Sequence, residues 1–279
     1  MSAWNIALLG AIAGLTIFLG LPFGRVRHPS PVLRVILNGV AIGILLFLLW
    51  DVLVHAIEPV EQALTEATGG QPAGGGRFVG LAVTFIVGIT FGLMSLLYYS
   101  RWQAGRPRAY GPGAAAAGEI LRPRIAMGSG RELALMIAVG IGLHNFAEGL
   151  AIGQSAASGE IGLAVMLIIG FALHNATEGF GIVAPLPSDH DRPRWGFLAV
   201  LGVIGGGPTF VGTLVGQVVV SDVLSVGFLA LAAGSILYVV IQLLRVGDRL
   251  GRRELLGWAI LLGLFLGLAT DFVIAAAGA

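Results

Sequence analysis

Cysteine is absent from the 279 residues, and so is lysine. Without thiols there can be no disulfide, no thiolate metal site and no cysteine nucleophile. Charge of any kind is scarce: 11% of residues are Asp, Glu, Lys or Arg, against 56% apolar, and this leaves too little polar surface for a soluble globule. A formal net charge of +1 excludes nucleic acid as a partner, because phosphate binding needs a dense basic face. Period-two alternation is missing as well, as the run 39–50 illustrates, which argues against a membrane β-barrel.

What remains is an all-α integral membrane protein. Eight apolar stretches, at roughly 4–23, 35–56, 78–99, 133–153, 161–184, 196–219, 224–244 and 255–276, each approach the ~20 residues a helix needs to cross the hydrocarbon. No basic residue precedes the first, so it is not read as a cleaved signal. The whole chain, 1–279, is read as one transmembrane domain. All 16 basic residues are arginines, and 15 fall in the odd-numbered loops; only Arg77 falls in an even one. The positive-inside rule then sets the odd loops in the cytoplasm and both termini on the outer face of the cell membrane. The third loop, 101–131, carries Arg-Pro pairs, Gly-Pro-Gly and four consecutive alanines and reads as a flexible cytoplasmic linker. His28 and His190 read as solvated loop residues.

The chemistry lies in polar residues within apolar spans, where an ionised carboxylate is costly unless it faces a cavity or an ion. Residues 144–149 read HNFAEG and 174–179 read HNATEG, an internal repeat. Each motif sets His and Glu four apart on one helix face, with Asn one position round the axis. Two facing helices would thus offer His144, Glu148, His174 and Glu178, with Asn145 and Asn175, all donors suited to divalent transition metals. Asp51 and His55 form a further pair four apart. Glycines beside the glutamates, Gly149, Gly153, Gly170, Gly179 and Gly181, allow close helix approach. Gln154 and Gln242 read as interhelical hydrogen-bond partners. The structural alternative for any one motif is a histidine bonded across the bundle to a glutamate; the repeat argues against it.

HNFAEGLAIG at 144–153 resembles the fourth-helix signature of the ZIP (Zrt-, Irt-like) divalent metal transporters, and HNATEGFGIVAPL at 174–186 is similar to the fifth-helix signature of the bacterial branches. Asp51-x-x-x-His55 and the stretch 232–240 also resemble that family, so the likeness extends over essentially the whole chain. It implies eight helices in a 3+2+3 arrangement with inverted repeats and no prosthetic group. It also implies a carrier of divalent metal toward the cytoplasm, Zn²⁺ first, with Fe²⁺, Mn²⁺, Co²⁺ and Cd²⁺ as further cargo, and a second copy of the chain as a candidate partner. One subsite would draw on His55, His144, Glu148, His174 and Glu178, with Asp51 nearby. The other would draw on Asn145, Asn175 and the two shared glutamates. Family members are thought to move helices one, four, five and six as an elevator. Two departures stand out: Gly207 precedes Pro208 where many members carry Glu, and Gln242 replaces a Glu in the seventh helix. The first removes a carboxylate from the second subsite, so about one tightly bound metal per chain is expected. The competing readings are a membrane-embedded metal-dependent hydrolase and a non-transporting metal sensor.

Overall fold

A computed structural model describes residues 2–25, 30–71, 74–104, 130–157, 159, 161–186, 192–219 and 221–276. Eight α-helices follow one another among them: α1 (Ala3–Leu15), α2 (Pro31–Thr68), α3 (Gly74–Ala104), α4 (Gly130–Ala157), α5 (Ile161–Val183), α6 (Trp195–Gly216), α7 (Asp222–Arg249) and α8 (Arg253–Ala276). No strand occurs among the described residues. Among the described residues seven helical stretches are long and apolar enough to cross a membrane. The eighth helix, α5, has 23 residues and so rises about 34 Å against about 30 Å of hydrocarbon. Large apolar side chains such as Val83, Ile86 and Phe91 of α3 and Trp258, Phe265 and Phe272 of α8 face outward, which only a lipid surround makes inexpensive.

The glycines show how the helices are grouped. On α4 and α6 they meet the partner's backbone in turn: Gly149 against the Thr209 carbonyl, Gly153 against Thr213, Gly212 against Phe146 and Gly216 against Leu150. Gly14 of α1 and Gly206 of α6 each face the other's carbonyl oxygen, and Gly179 of α5 meets Ile17 and Gly20. Such contacts weld α1, α4, α5 and α6 into one body. A second body forms alike, with Gly92 and Gly234 joining α3 to α7, and Gly43 and Gly263 joining α2 to α8. Among the described glycines the sole approach between the bodies is Gly140 of α4 to Ser235 of α7, at an ordinary 3.4 Å. Across the seam the two bodies share one continuous buried apolar cluster, with Leu45 and Leu48 of α2 and Ile236 and Val239 of α7 joined to Ile137 and Ile141 of α4 and Ile182 of α5, and it also holds a tilted Phe146–Phe228 ring pair at 4.4 Å and bonds from Gln154 Nε2 to Val219 O (3.3 Å) and Ser225 Oγ (3.4 Å).

Several expected boundaries move. The first stretch is α-helical only to Leu15, then continues as 3-10 turns at Thr16–Leu19 and Leu21–Arg25. Pro22 lacks an N–H and Gly20 lies against Gly179 and Phe180, so the chain tightens where it packs on α5. The second helix runs to Thr68 instead of 56. Its polar extension, Glu58 to Thr68, continues the helical hydrogen bonding beyond the apolar span, with Gln62 Nε2 donating to Glu58 at 3.5 Å. Arg77 belongs to the first turn of α3, not to a loop, and there donates to both Glu66 oxygens at 2.7 Å and to Asp222 at 2.6 Å. The α3 helix also claims 101–104 and α4 claims 130–131 from the expected third loop; residues 105–129, with His28 and His190, lie outside the described residues.

Candidate metal centre

Both six-residue motifs lie well inside their helices, α4 and α5, within the first body. His144, Asn145, Glu148, Asn175 and Glu178 are all buried, none more than 5% exposed. His144 Nε2 stands 3.1 Å from Glu148 Oε1 on the same helix and 3.9 Å from Glu178 Oε1 across the bundle. Asn145 Nδ2 donates to Glu178 Oε2 at 3.2 Å and to the Gly205 carbonyl of α6 at 2.9 Å. Asn175 Nδ2 donates to the Ala13 carbonyl of α1 at 3.2 Å. Each asparagine is thereby oriented through its nitrogen.

The oxygens of the same groups are a different matter. Asn145 Oδ1, Asn175 Oδ1 and Glu148 Oε2 are buried with no hydrogen-bond donor among the described residues. An amide or carboxylate oxygen only accepts, so a buried one is satisfied by a donor or by a cation. One imidazole, two carboxylates and two amide oxygens at one level of a four-helix body form a donor set suited to a divalent transition metal.

Not every sequence-predicted ligand joins them. The His174 backbone is part of α5, but its side chain lies outside the described residues. Among those described, no three His, Asp or Glu side chains are gathered so as to hold a metal by themselves. His55 is 61% exposed and turned to its own helix, with Nδ1 at 2.9 Å from the Asp51 carbonyl and 3.4 Å from its carboxylate. Pro59, one turn on in the same helix, has no N–H to give the His55 carbonyl. Asp51 is nevertheless close enough to act electrostatically on both His144 and Glu148. Gln154 is an interhelical hydrogen-bond partner, as read from sequence, and Gln242 is half-buried on α7.

Gly207 departs from the expectation. A Cβ there would meet only Val203 of its own helix, at 3.8 Å, and Val200, Val203, Val211 and Leu214 on the same stripe are exposed. At 100° per residue Gly205 and Gly207 point to opposite sides of α6, so the helix meets the site through Gly205 and the fully buried Thr209. Thr209 escaped the sequence reading because a lone threonine in an apolar span carries no signal. So did Asp271 of α8, which acts on Asp51 across the second body.

A helical membrane body with buried His, Glu and Asn side chains in its interior has the donor types that a metal-ion carrier needs. The family model described as ZIP zinc transporter matches residues 116–275, which takes in both motifs and α4 to α8. The chain belongs to the ZIP zinc transporter family, multi-pass membrane carriers of divalent metal and not enzymes. The matched region leaves out α1 to α3, so it is narrower than the whole-chain likeness read from the motifs. No curated relative matches the chain.

Proposed function

We propose that the protein carries Zn²⁺ toward the cytoplasm through the buried His144, Glu148 and Glu178, with His174 of the second motif as a further ligand and Asp51 and His55 of α2 at its outer approach. The observation that carries this is the set of buried oxygens, Asn145 Oδ1, Asn175 Oδ1 and Glu148 Oε2, that have no donor among the described residues while their partner atoms are fixed. Burying them is expensive unless a cation arrives. Two carboxylates match the charge of one divalent ion, and imidazole nitrogen favours zinc over hard cations such as Mg²⁺.

The glycine-welded grouping supports an elevator-like motion in which α1, α4, α5 and α6 carry the ion past α2, α3, α7 and α8. The seam is packed with apolar side chains and has few directional polar bonds, so sliding along it breaks few hydrogen bonds. The pairings α3 with α7 and α2 with α8 exchange with one another if helices one to three correspond to six to eight, as a 3+2+3 inverted repeat requires. The arginine distribution supports termini on the outer face of the cell membrane.

Purified protein in liposomes, offered Zn²⁺, Fe²⁺, Mn²⁺, Co²⁺ and Cd²⁺ under set pH gradients, tests the reading. Saturable zinc accumulation inside the vesicles is expected. Zinc binding without accumulation would instead identify a sensor.

A further inference from the structure

The turn between α7 and α8 closes on Gly251, whose φ of +71° is left-handed backbone, and it draws Arg249, Arg252 and Arg253 together. Arg245 lies one turn earlier on the same exposed face of α7. Arg253 is matched by Asp248, with Nε and Nη2 each 3.0 Å from Oδ1. Arg245, Arg249 and Arg252 form no ion pair among the described residues, and Glu254 is the other acid in the turn region. Arg34 joins them from α2. One turn further along that helix Asn38 donates to the Leu243 carbonyl of α7 at 3.2 Å, and Gly39 lies against Leu256 and Ala259 of α8, so Arg34 stands at the level of the turn. At the far end of the same body the balance is reversed, since Arg77 is matched by both Glu66 and Asp222.

The basic end also sits where the apolar surface stops. Trp258 is 72% exposed, and Leu261, Leu262 and Phe265 continue its stripe outward along α8. Trp258 follows Arg253 by a rise of about 7.5 Å. Trp102 ends α3, 55% exposed; α3 runs parallel to α7, with Gly88 against Gly227 and Gly92 against Leu231, so Trp102 lies beside the last turns of α7. Tryptophan marks the headgroup level of a bilayer. Arginines one step beyond two such residues lie among lipid phosphates.

We propose that this end of the second body binds the headgroup of an anionic phospholipid through Arg245, Arg249 and Arg252, with Arg34 beside them. Basic clusters at the ends of membrane helices attract anionic headgroups, each arginine adding to the affinity. A lipid engages both parts of the surface, phosphate on the arginines and acyl chains against Trp258 and the stripe below it, whereas a soluble anion would engage the arginines alone. Binding of the lipid is independent of the metal chemistry. Joined to the carrier reading, it anchors the body that stays still.

The test uses purified full-length protein in detergent, titrated with phosphatidylglycerol or phosphatidylcholine of the same chain length and followed by native mass spectrometry. Thermal unfolding is measured alongside in nanodiscs of phosphatidylcholine with and without phosphatidylglycerol. Phosphatidylglycerol should bind in preference and raise the unfolding temperature. Replacing Arg245, Arg249 and Arg252 together by Gln should weaken its binding at least about tenfold, whereas replacing all three by Lys should keep most of it. If the triple Gln variant does not fold, Arg249→Gln and Arg252→Gln singly carry the comparison. Equal binding of the two lipids overturns the proposal, as does undiminished phosphatidylglycerol binding by the Gln variants. Glycerol 3-phosphate giving the same stabilisation in phosphatidylcholine nanodiscs would also overturn it, in favour of a soluble anion. Zinc uptake into liposomes is scored separately: lipid binding without uptake sinks the carrier reading alone, and uptake without preferential lipid binding sinks the lipid site alone.

Discussion

His144 touches two carboxylates at once, so its loss and theirs have different consequences. His144→Ala removes a neutral ligand and leaves Glu148 and Glu178 facing each other in a buried space, while Glu178→Gln keeps the shape and removes one charge. Both should lower zinc uptake at least tenfold, since a single well-placed ligand hydrogen bond or charge is worth about 1.5–3 kcal/mol. Uptake normalised to protein inserted in the vesicles is the measurement, and wild-type uptake by Glu178→Gln would remove that residue from the site. Gly207→Glu is a sharper test of geometry. Because residue 207 lies on the exposed stripe of α6, the new carboxylate should add no bound metal, and it should destabilise the protein by about 2.5–3.5 kcal/mol if it sits near the bilayer centre. Calorimetric stoichiometry with zinc, together with the unfolding temperature, reads both effects. The Glu-Pro likeness suggested the opposite; register on a helix decides it, and two residues of register are more than half a turn.

Within elements, the long helices were legible because apolar runs of membrane length have few alternatives. Their ends were not. The apolar pattern stops where lipid stops, but α2 goes on to Thr68 on polar residues that helical hydrogen bonding alone sustains, and α1 gives way to 3-10 turns through a tertiary contact at Gly20 that no local pattern announces. The motifs disclosed His144, Asn145, Glu148, Asn175 and Glu178 as buried neighbours because a repeated polar cluster in lipid is conspicuous. His55 looked equivalent in sequence yet lies exposed, since helical spacing does not say which way a pair faces. Glycine contact gives an element-scale prediction. At Gly149 a Cβ would press on the Thr209 carbonyl and come 3.0 Å from Gly212 Cα, whereas at Gly162 it meets nothing within 4 Å. Gly149→Ala should cost about 1–3 kcal/mol, and Gly162→Ala should be neutral or stabilise by up to about 1 kcal/mol, as measured by thermal unfolding in detergent.

For the molecule as a whole, the absence of native cysteine makes the two-body arrangement directly testable. Gly140 and Ser235 stand across the seam, with an ideal Cβ at 140 lying 3.4 Å from Ser235 Cβ, close to disulfide range. Oxidising Gly140→Cys/Ser235→Cys should arrest zinc uptake and reduction should restore it; unchanged uptake in a fully crosslinked sample would mean that the bodies need not slide. Membrane-impermeant labelling of Gln71→Cys from outside and Ala115→Cys from the cytoplasm checks the orientation, and same-side labelling would contradict it. The 38 residues of α2 make a rod of about 57 Å, well beyond the bilayer, and Arg77 fastens its end to α3 and α7 through Glu66 and Asp222. In the proposed orientation this braced stub stands outside the cell on the body that stays still. An antibody fragment raised against it would therefore hold the carrier without impeding it, serving as a silent handle for imaging or capture, whereas a binder to the tips of α4 and α5 would act as a brake.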